Sequence, residues 1–189
     1  MAEELEGADI FDNWDQLIQS PEATPSSSLE NLDISGLIGQ EKKGEEYWEK
    51  IFQESNLGGM KLMSLNYYPR TIHEEDFFKT CVSAQKLFIK DILAYCSDDL
   101  RIAGLSEESI FYLTKGILPV NWTVHLKVPP LYGGQASPEN MVLIQCQPFH
   151  EKIHDFINQQ ILSEAGVGHP KILYVPTPIG KVYVPKENG

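Results

Sequence analysis

The stretch from residue 124 to residue 157 constrains the fold of this chain more than any other feature of its sequence. His125 lies in a β-branched run that predicts a strand, Trp122–Val128. His150 and His154 are four positions apart, so on a helix they project from the same face, about one turn from each other. Three imidazole nitrogens from a strand and a helix can bind a divalent metal and leave a fourth coordination position open.

The residues between these histidines predict a strand–loop–strand–helix unit. Gly133-Gly134 favours a turn after the first strand, and Met141–Cys146 is apolar enough for a second strand. The apolar positions of Phe149–Glu164 recur at helical spacing, so this segment predicts the helix that carries the histidine pair. The sequence therefore brings the two histidine-bearing elements close together in the chain.

This order of residues resembles the HNH endonucleases, also called ββα-metal or His-Me finger nucleases, over about one fifth of the chain. The matching positions are His125, Pro129, Gly133, Gly134, Asn140, His150 and His154. The resemblance implies an HNH-like fold in which His125, His150 and His154 bind a divalent metal. Zinc is the first expectation for that metal, with magnesium or nickel as alternatives.

The chain departs from the family at Leu126, where HNH nucleases have the general base that activates water. Leucine cannot accept a proton, and the loss of a general base costs about 10²–10⁴ in rate. Two catalytic candidates remain. The resemblance implies that Asn140 orients the loop between the strands, and Lys127 could hold a phosphate if it faces the site. As an ordinary strand lysine, Lys127 would instead face solvent.

Three hypotheses follow from this pattern. The first is a metal-dependent endonuclease-family protein that acts on nucleic-acid phosphodiesters, with activity weak or lost. The second is a catalytically inactive HNH-like module that binds a protein; since HNH-like domains occur in bacterial toxins and effectors, the resemblance also implies an effector that engages a host or partner protein. The third is a protein without a metal, in which His150 and His154 are incidental.

The charge distribution separates the first 46 residues from the rest of the chain. The formal net charge is −12, and residues 1–46 hold twelve of the 27 acidic side chains but only Lys42 and Lys43 as bases. The remainder is close to neutral. Affinity for nucleic acid rests on neutralised phosphates, so the charge does not favour a nucleic-acid partner, although it does not exclude one.

Residues 1–42 are acidic and interrupted by serine and proline, which predicts a disordered arm. Within residues 9–18, acids alternate with apolar side chains near helical spacing, a pattern suited to docking in the groove of a protein partner. The apolar positions are Ile10, Phe11, Trp14, Leu17 and Ile18. The Trp14–Leu17 spacing also resembles the W-x-x-L motif that binds autophagy ubiquitin-like proteins. Alternatively, this segment packs on the protein's own body.

These elements predict an α+β protein: an N-terminal helical layer, then the ββα-metal (HNH-like) unit and a C-terminal β-hairpin. The expected domains are the arm over 1–42 and an HNH-like domain over 43–189. Within the latter we expect a helical part over 43–118, the ββα-metal motif over 122–165 and the hairpin over 171–185. Glu74–Cys96 shows the strongest helical periodicity, and Ser106 is the predicted N-cap of a shorter helix.

The three cysteines lack the spacing of a metal site, which predicts reduced thiols and therefore a cytoplasmic protein. Delivery into a host or target cell is the alternative. No apolar run approaches the length of a membrane span, and no signal peptide is evident. We therefore expect no membrane partner.

Overall fold

A computed structural model of the protein describes residues 44–68, 74–163 and 170–186. The backbone divides into two units, Met1–Lys42 and Lys43–Gly189, and every described residue belongs to the second unit. This unit has the α+β fold that the sequence predicts. The predicted docking residues Ile10, Phe11, Trp14, Leu17 and Ile18 lie outside the described residues.

Helices come first in the described part of the chain, and the strands lie mainly towards its end. In chain order the elements are α1 (Glu45–Glu54), β1 (Met60–Asn66), α2 (Glu74–Tyr95), α3 (Ser97–Ile102), α4 (Glu107–Thr114), β2 (Trp122–Leu126), β3 (Met141–Gln145), α5 (Glu151–Ser163) and β4 (Ile172–Pro178). A five-residue segment, Cys146–His150, joins β3 directly to α5.

The helical layer has the apolar face and the N-cap that its sequence predicts. In α2 the buried side chains of Cys81, Ala84, Phe88 and Ile92 recur every three or four residues, which defines one apolar face. At the start of α4 the Ser106 hydroxyl oxygen accepts a hydrogen bond from the Ser109 N–H at 3.1 Å. The predicted N-cap at Ser106 is therefore confirmed.

The strand–loop–strand–helix unit that the sequence predicts is present. β2 and β3 pair antiparallel, with His125 opposite Val142 and Leu126 opposite Met141. Directly opposed residues share a face of the sheet, whereas successive residues on one strand point to opposite faces. His125 and Leu126 therefore lie on opposite faces of the same strand.

The predicted C-terminal hairpin over residues 171–185 is wrong. β4 pairs instead with β1, from Met60 opposite Pro178 to Asn66 opposite Ile172. This pairing covers all seven residues of each strand, so β1 supplies a full-length partner that a short hairpin could not match. The predicted helical part over 43–118 accordingly contains a strand as well as helices.

The second half of the predicted hairpin joins β3. The Leu143 N–H donates to the Lys181 carbonyl at 2.8 Å, and the Tyr183 N–H donates to the Leu143 carbonyl at 2.9 Å. β3 is thus hydrogen-bonded on both edges, by β2 and by the chain after β4. Val142, Leu143 and Ile144 of this central strand are all fully buried.

The core beside α5 connects the helix to both strand pairs. Its buried side chains are those of Leu57, Met60, Tyr132, Val142, Ile144, Ile153, Ile157, Leu173, Val175 and Tyr183. Gln160 of α5 adds a polar clamp within this interior: its amide nitrogen donates to the Tyr174 carbonyl at 2.7 Å and its amide oxygen accepts from the Tyr174 N–H at 2.8 Å. Both backbone groups of Tyr174 are thereby satisfied.

Two further sequence expectations concern the cysteines and the membrane. Cys81, Cys96 and Cys146 are free thiols, and Cys81 is buried. Within residues 44–68, 74–163 and 170–186, no helix is both long and apolar enough to cross a membrane.

Candidate metal centre

Three histidines from two elements meet at one point beside α5. His125 comes from β2, where 2% of its surface is exposed. His150 immediately precedes α5 and His154 lies in the helix's first turn, so the two rings project from the same side. The ring centroid of His125 lies 5.0 Å from that of His150 and 5.4 Å from that of His154. The structure therefore brings together the three residues that the sequence selected as metal ligands.

The spacing of the ring nitrogens suits a metal ion. One nitrogen from each histidine lies within 4.8 Å of the other two. The Nε2 atoms of His150 and His154 are 2.9 Å apart. Two ligands of a tetrahedral zinc, each at about 2.0–2.1 Å from the ion, are separated by about 3.3 Å. The separation of these two nitrogens is therefore close to that of two ligands of one ion.

Burial keeps these histidines in the form that binds metal. Desolvation and, to a smaller extent, the neighbouring His154 together lower the pKa of His150 from 6.5 to about 4. Burial likewise lowers the pKa of His154, which Asp155 partly opposes. The pKa of the buried His125 lies well below its usual range, first through desolvation and then through the other two histidines. All three imidazoles are therefore neutral at pH 7 and offer lone pairs to a cation.

Asn140 holds the loop that follows His125. Its side-chain oxygen accepts from the Val128 N–H at 2.9 Å, and its amide nitrogen donates to the carbonyls of Val128 and Gln135, each at 3.0 Å. The side chain thus imitates a strand partner for Val128 and ties both ends of the loop together. This position agrees with a loop-orienting role, and these bonds direct the amide to the backbone.

The Gly133-Gly134 turn has two separate reasons for glycine. Gly133 adopts a φ of 91°, in the left-handed region. At Gly134 a side-chain carbon would overlap the carbonyl group of Val128, so the backbone can approach there only without a Cβ. The loop between β2 and β3 is therefore compact because of these two residues.

A second asparagine, which the sequence interpretation missed, holds the other end of the strand pair. The Asn121 side-chain oxygen accepts from the Gln147 N–H at 3.0 Å, and its amide nitrogen donates to the Gln147 carbonyl at 3.2 Å. The Cys146 N–H also donates to the Asn121 carbonyl at 2.8 Å. An isolated asparagine before a strand is common in turns, so the sequence offered no signal for this contact beyond its turn-forming residue type.

Leu126 belongs to the apolar interior and not to the histidine cluster. Only 4% of its surface is exposed, and its partner Met141 is similarly buried. The alternation of side chains along β2 directs Leu126 away from the face that carries His125. The site therefore has three nitrogen donors but no proton acceptor from residue 126.

Lys127 continues the pairing of β2, since its N–H donates to the Asn140 carbonyl at 2.8 Å. Burial lowers the pKa of Lys127, and the charges of Lys181 and Lys61 lower it further. Lys181 itself forms an ion pair with Asp91 at 2.6 Å. Lys127 therefore lies near basic side chains from two other parts of the chain, a group that we call the lysine group (Lys61, Lys127 and Lys181).

Comparison with known proteins adds one relative. No protein-family model and no solved structure matches the chain. The uncharacterized protein YhhZ of Escherichia coli (strain K12) is 27% identical over 195 residues, an alignment that covers 99% of this chain and 48% of YhhZ. The chain thus spans about half the length of this relative, whose description assigns no function.

Proposed function

We propose that this chain is an HNH-like metal-binding protein in which His125, His150 and His154 hold a divalent transition metal. The observation that carries the proposal is the cluster of three neutral imidazoles, with one nitrogen of each within 4.8 Å of the others. Their source in a strand and the following helix, with Asn140 pinning the loop between the strands, supports an HNH-like origin. The cluster also favours this proposal over a protein with incidental histidines.

Zinc is the metal that the donor set suits best. Imidazole nitrogens suit zinc, copper, iron and nickel, whereas magnesium demands oxygen ligands in octahedral geometry. Within the described part of the chain, no carboxylate joins the three histidines to form a larger metal-ligating group. Nickel therefore remains an alternative, and magnesium is the weakest of the three candidates.

The chemistry that such a site would serve is hydrolysis of nucleic-acid phosphodiesters, with activity weak or lost. A bound cation would supply Lewis-acid stabilisation of charge on a phosphate oxygen. The chain does not supply a general base at residue 126, because Leu126 cannot accept a proton and lies in the core. The lysine group gives this otherwise acidic protein a place where phosphates could bind.

An inactive HNH-like binding module is the second candidate. The burial of Leu126 favours it, because the position of the family's general base has become part of the hydrophobic core. In this form the metal would stabilise the fold, and the acidic segment over residues 9–18 would engage a protein partner, as in an effector.

Elemental analysis of untagged protein tests the metal site. We expect about one equivalent of zinc in the wild type and in the matched control Asp155→Asn, which changes an exposed carboxylate beside His154. The double variant His150→Ala/His154→Ala should contain none, since one remaining imidazole cannot hold the ion. A metal-free wild type that also fails to take up added zinc would overturn the proposal.

Plasmid cleavage by the zinc-loaded protein then separates the two candidates. Slow nicking that disappears in the double variant His150→Ala/His154→Ala would support a weak nuclease. Full zinc occupancy without cleavage above that of the double variant would support the inactive binding module.

A further inference from the structure

A direct connection between the two ligand-bearing segments lies at the end of the strand pair opposite the Asn140 loop. We infer that Asn121 is a positioning residue for the metal site. By holding the backbone just before His150, Asn121 fixes the position of that ligand and so sets the zinc affinity. This inference rests on the proposed metal site. It goes beyond the ligands themselves, because Asn121 lies outside the three-histidine cluster.

Three hydrogen bonds carry the connection. Both ends of the Asn121 amide bond the backbone of Gln147, and the Asn121 carbonyl accepts from the Cys146 N–H. Asn121 immediately precedes β2, which carries His125, while Gln147 lies only three positions before His150. The clamp thus joins the segment of one ligand to the segment of another across a separation of 26 residues.

The contact continues onto the helix. The Gln147 side-chain nitrogen donates to a carboxylate oxygen of Glu151 at 2.9 Å, so the residue that Asn121 holds also contacts the first turn of α5. His150 lies between these two attached residues. Metal sites depend on supporting groups that hold each ligand to within about 0.5 Å of the productive geometry, and loss of a group that orients a ligand typically weakens metal affinity by about 10–100-fold.

The backbone of Asn121 explains why asparagine stands here. Its φ is 65°, a left-handed conformation that asparagine adopts more readily than most residues other than glycine. Glycine would meet this backbone requirement but could not form the amide clamp. Aspartate would retain the acceptor for the Gln147 N–H and lose the donor. These two substitutions therefore separate the turn from the clamp.

Gln160 provides a matched control. Its amide clamps Tyr174 with the same two-bond geometry, but it joins α5 to β4 and does not link two ligand segments. If any lost clamp weakened zinc binding through general destabilisation, Gln160→Ala would weaken it at least as much as a change at Asn121, because Gln160 is buried.

The experiment measures zinc affinity by competition with a chromophoric chelator, well below the unfolding temperature of each variant. We expect Asn121→Gly to weaken zinc binding about 10–100-fold and Asn121→Asp to fall between it and the wild type. Gln160→Ala should lower the melting temperature yet retain the wild-type zinc affinity. Circular dichroism establishes that each variant is folded.

The possible failures are distinguishable. Wild-type affinity in Asn121→Gly would overturn the inference and leave the metal site intact. Equal losses in Asn121→Gly and Gln160→Ala would also overturn it, because the effect would then be general destabilisation. A wild type that binds no zinc would overturn the proposed metal site and this inference together.

Discussion

The two faces of β2 carry opposite kinds of chemistry at adjacent positions. His125 faces α5 and meets two further imidazoles, whereas Leu126 faces the other side and packs in an apolar interior. Both side chains are almost fully buried, so burial alone does not distinguish them. Because burial favours the neutral imidazole, the burial of His125 keeps it in the form that can bind a metal, whereas the burial of Leu126 adds to the core. A single strand therefore supports both the core and the candidate site.

This comparison also bears on the proposed HNH-like site. An HNH-like site with a proton acceptor at position 126 would need that side chain within reach of the reacting atoms. In this protein the side chain there completes the core opposite Met141. The metal face and the core face can thus be tested independently by substitutions at neighbouring residues.

The largest expected effect is the loss of metal affinity on the His125 face. Replacing His150 and His154 by glutamine leaves one imidazole, and we expect zinc affinity to fall by at least about 10³-fold, or about 4 kcal/mol. Isothermal titration calorimetry with zinc measures this change. Leu126→Met is the matched control on the opposite face, because it retains an apolar side chain of similar size and should not alter zinc affinity. A comparable loss in both variants would show that the two faces are not independent.

The second effect is the pH dependence of the metal-free protein. His150 has a folded pKa of about 4 against 6.5 in the unfolded chain, so the unfolded state takes up the proton first as the pH falls. The contribution to stability is complete above pH 6.5 and is lost as the pH falls towards 4. For His150 alone we expect the free energy of unfolding to fall by about 2 kcal/mol between pH 7 and pH 5.

Urea unfolding of the metal-free protein at several pH values measures this dependence. The double variant His150→Gln/His154→Gln should show a shallower slope, because two of the titrating groups have been removed. An identical slope in both proteins would mean that other groups cause the loss of stability in acid.

The strand–loop–strand–helix unit was predictable because its signals are local. The alternation and β-branched residues of β2 and β3, the glycine turn and the four-residue spacing of His150 and His154 all lie within one continuous stretch. The three-histidine cluster follows from this short-range geometry. The nearby strand that carries His125 indicated the third ligand, and the resemblance to HNH nucleases implied the same set of three.

The C-terminal pairing was not predictable from local signals. The residues of β4 and those after Gly180 do have the composition of two strands with a turn between them, which is the pattern of a hairpin. Their partners are β1 and β3, and pairing at such separations depends on which edges the rest of the fold leaves open. The Asn121 clamp was missed for the same reason, because its partner Gln147 is distant in sequence.

The third prediction concerns the core face. Leu126→His places an imidazole among apolar side chains and removes packing opposite Met141, so we expect a destabilisation of about 2 kcal/mol. Because the side chain points away from His125, the variant should not gain plasmid cleavage. Thermal unfolding and a cleavage assay with zinc provide the two measurements. Recovered cleavage would show that residue 126 does reach the site and would contradict the separation of the two faces.

The fourth prediction tests whether the loop after β2 belongs to the metal face or only to the fold. Asn140→Ala removes the hydrogen bonds to Val128 and Gln135, and we expect a loss of about 1–2 kcal/mol in the free energy of unfolding. Zinc affinity should change less than in Asn121→Gly, because Asn140 holds the loop and not the junction that carries His150. Urea unfolding and zinc competition, run on the same samples, measure the two quantities. A larger loss of zinc affinity in Asn140→Ala would reverse the ranking of the two asparagines.

The smallest expected effect is at Lys127, the residue that directly follows β2. If the lysine group contacts phosphates, Lys127→Ala should weaken binding of a short DNA duplex by roughly 3–10-fold and reduce by about one the slope of log affinity against log salt concentration. Fluorescence anisotropy at several salt concentrations measures both changes. Lys79→Ala is the control, because Lys79 is an exposed lysine of α2 paired with Glu75. Equal effects at the two positions would mean that Lys127 contributes to DNA binding only through net charge. The partial burial of Lys127 would then reflect the packing of its aliphatic stem beside the loop.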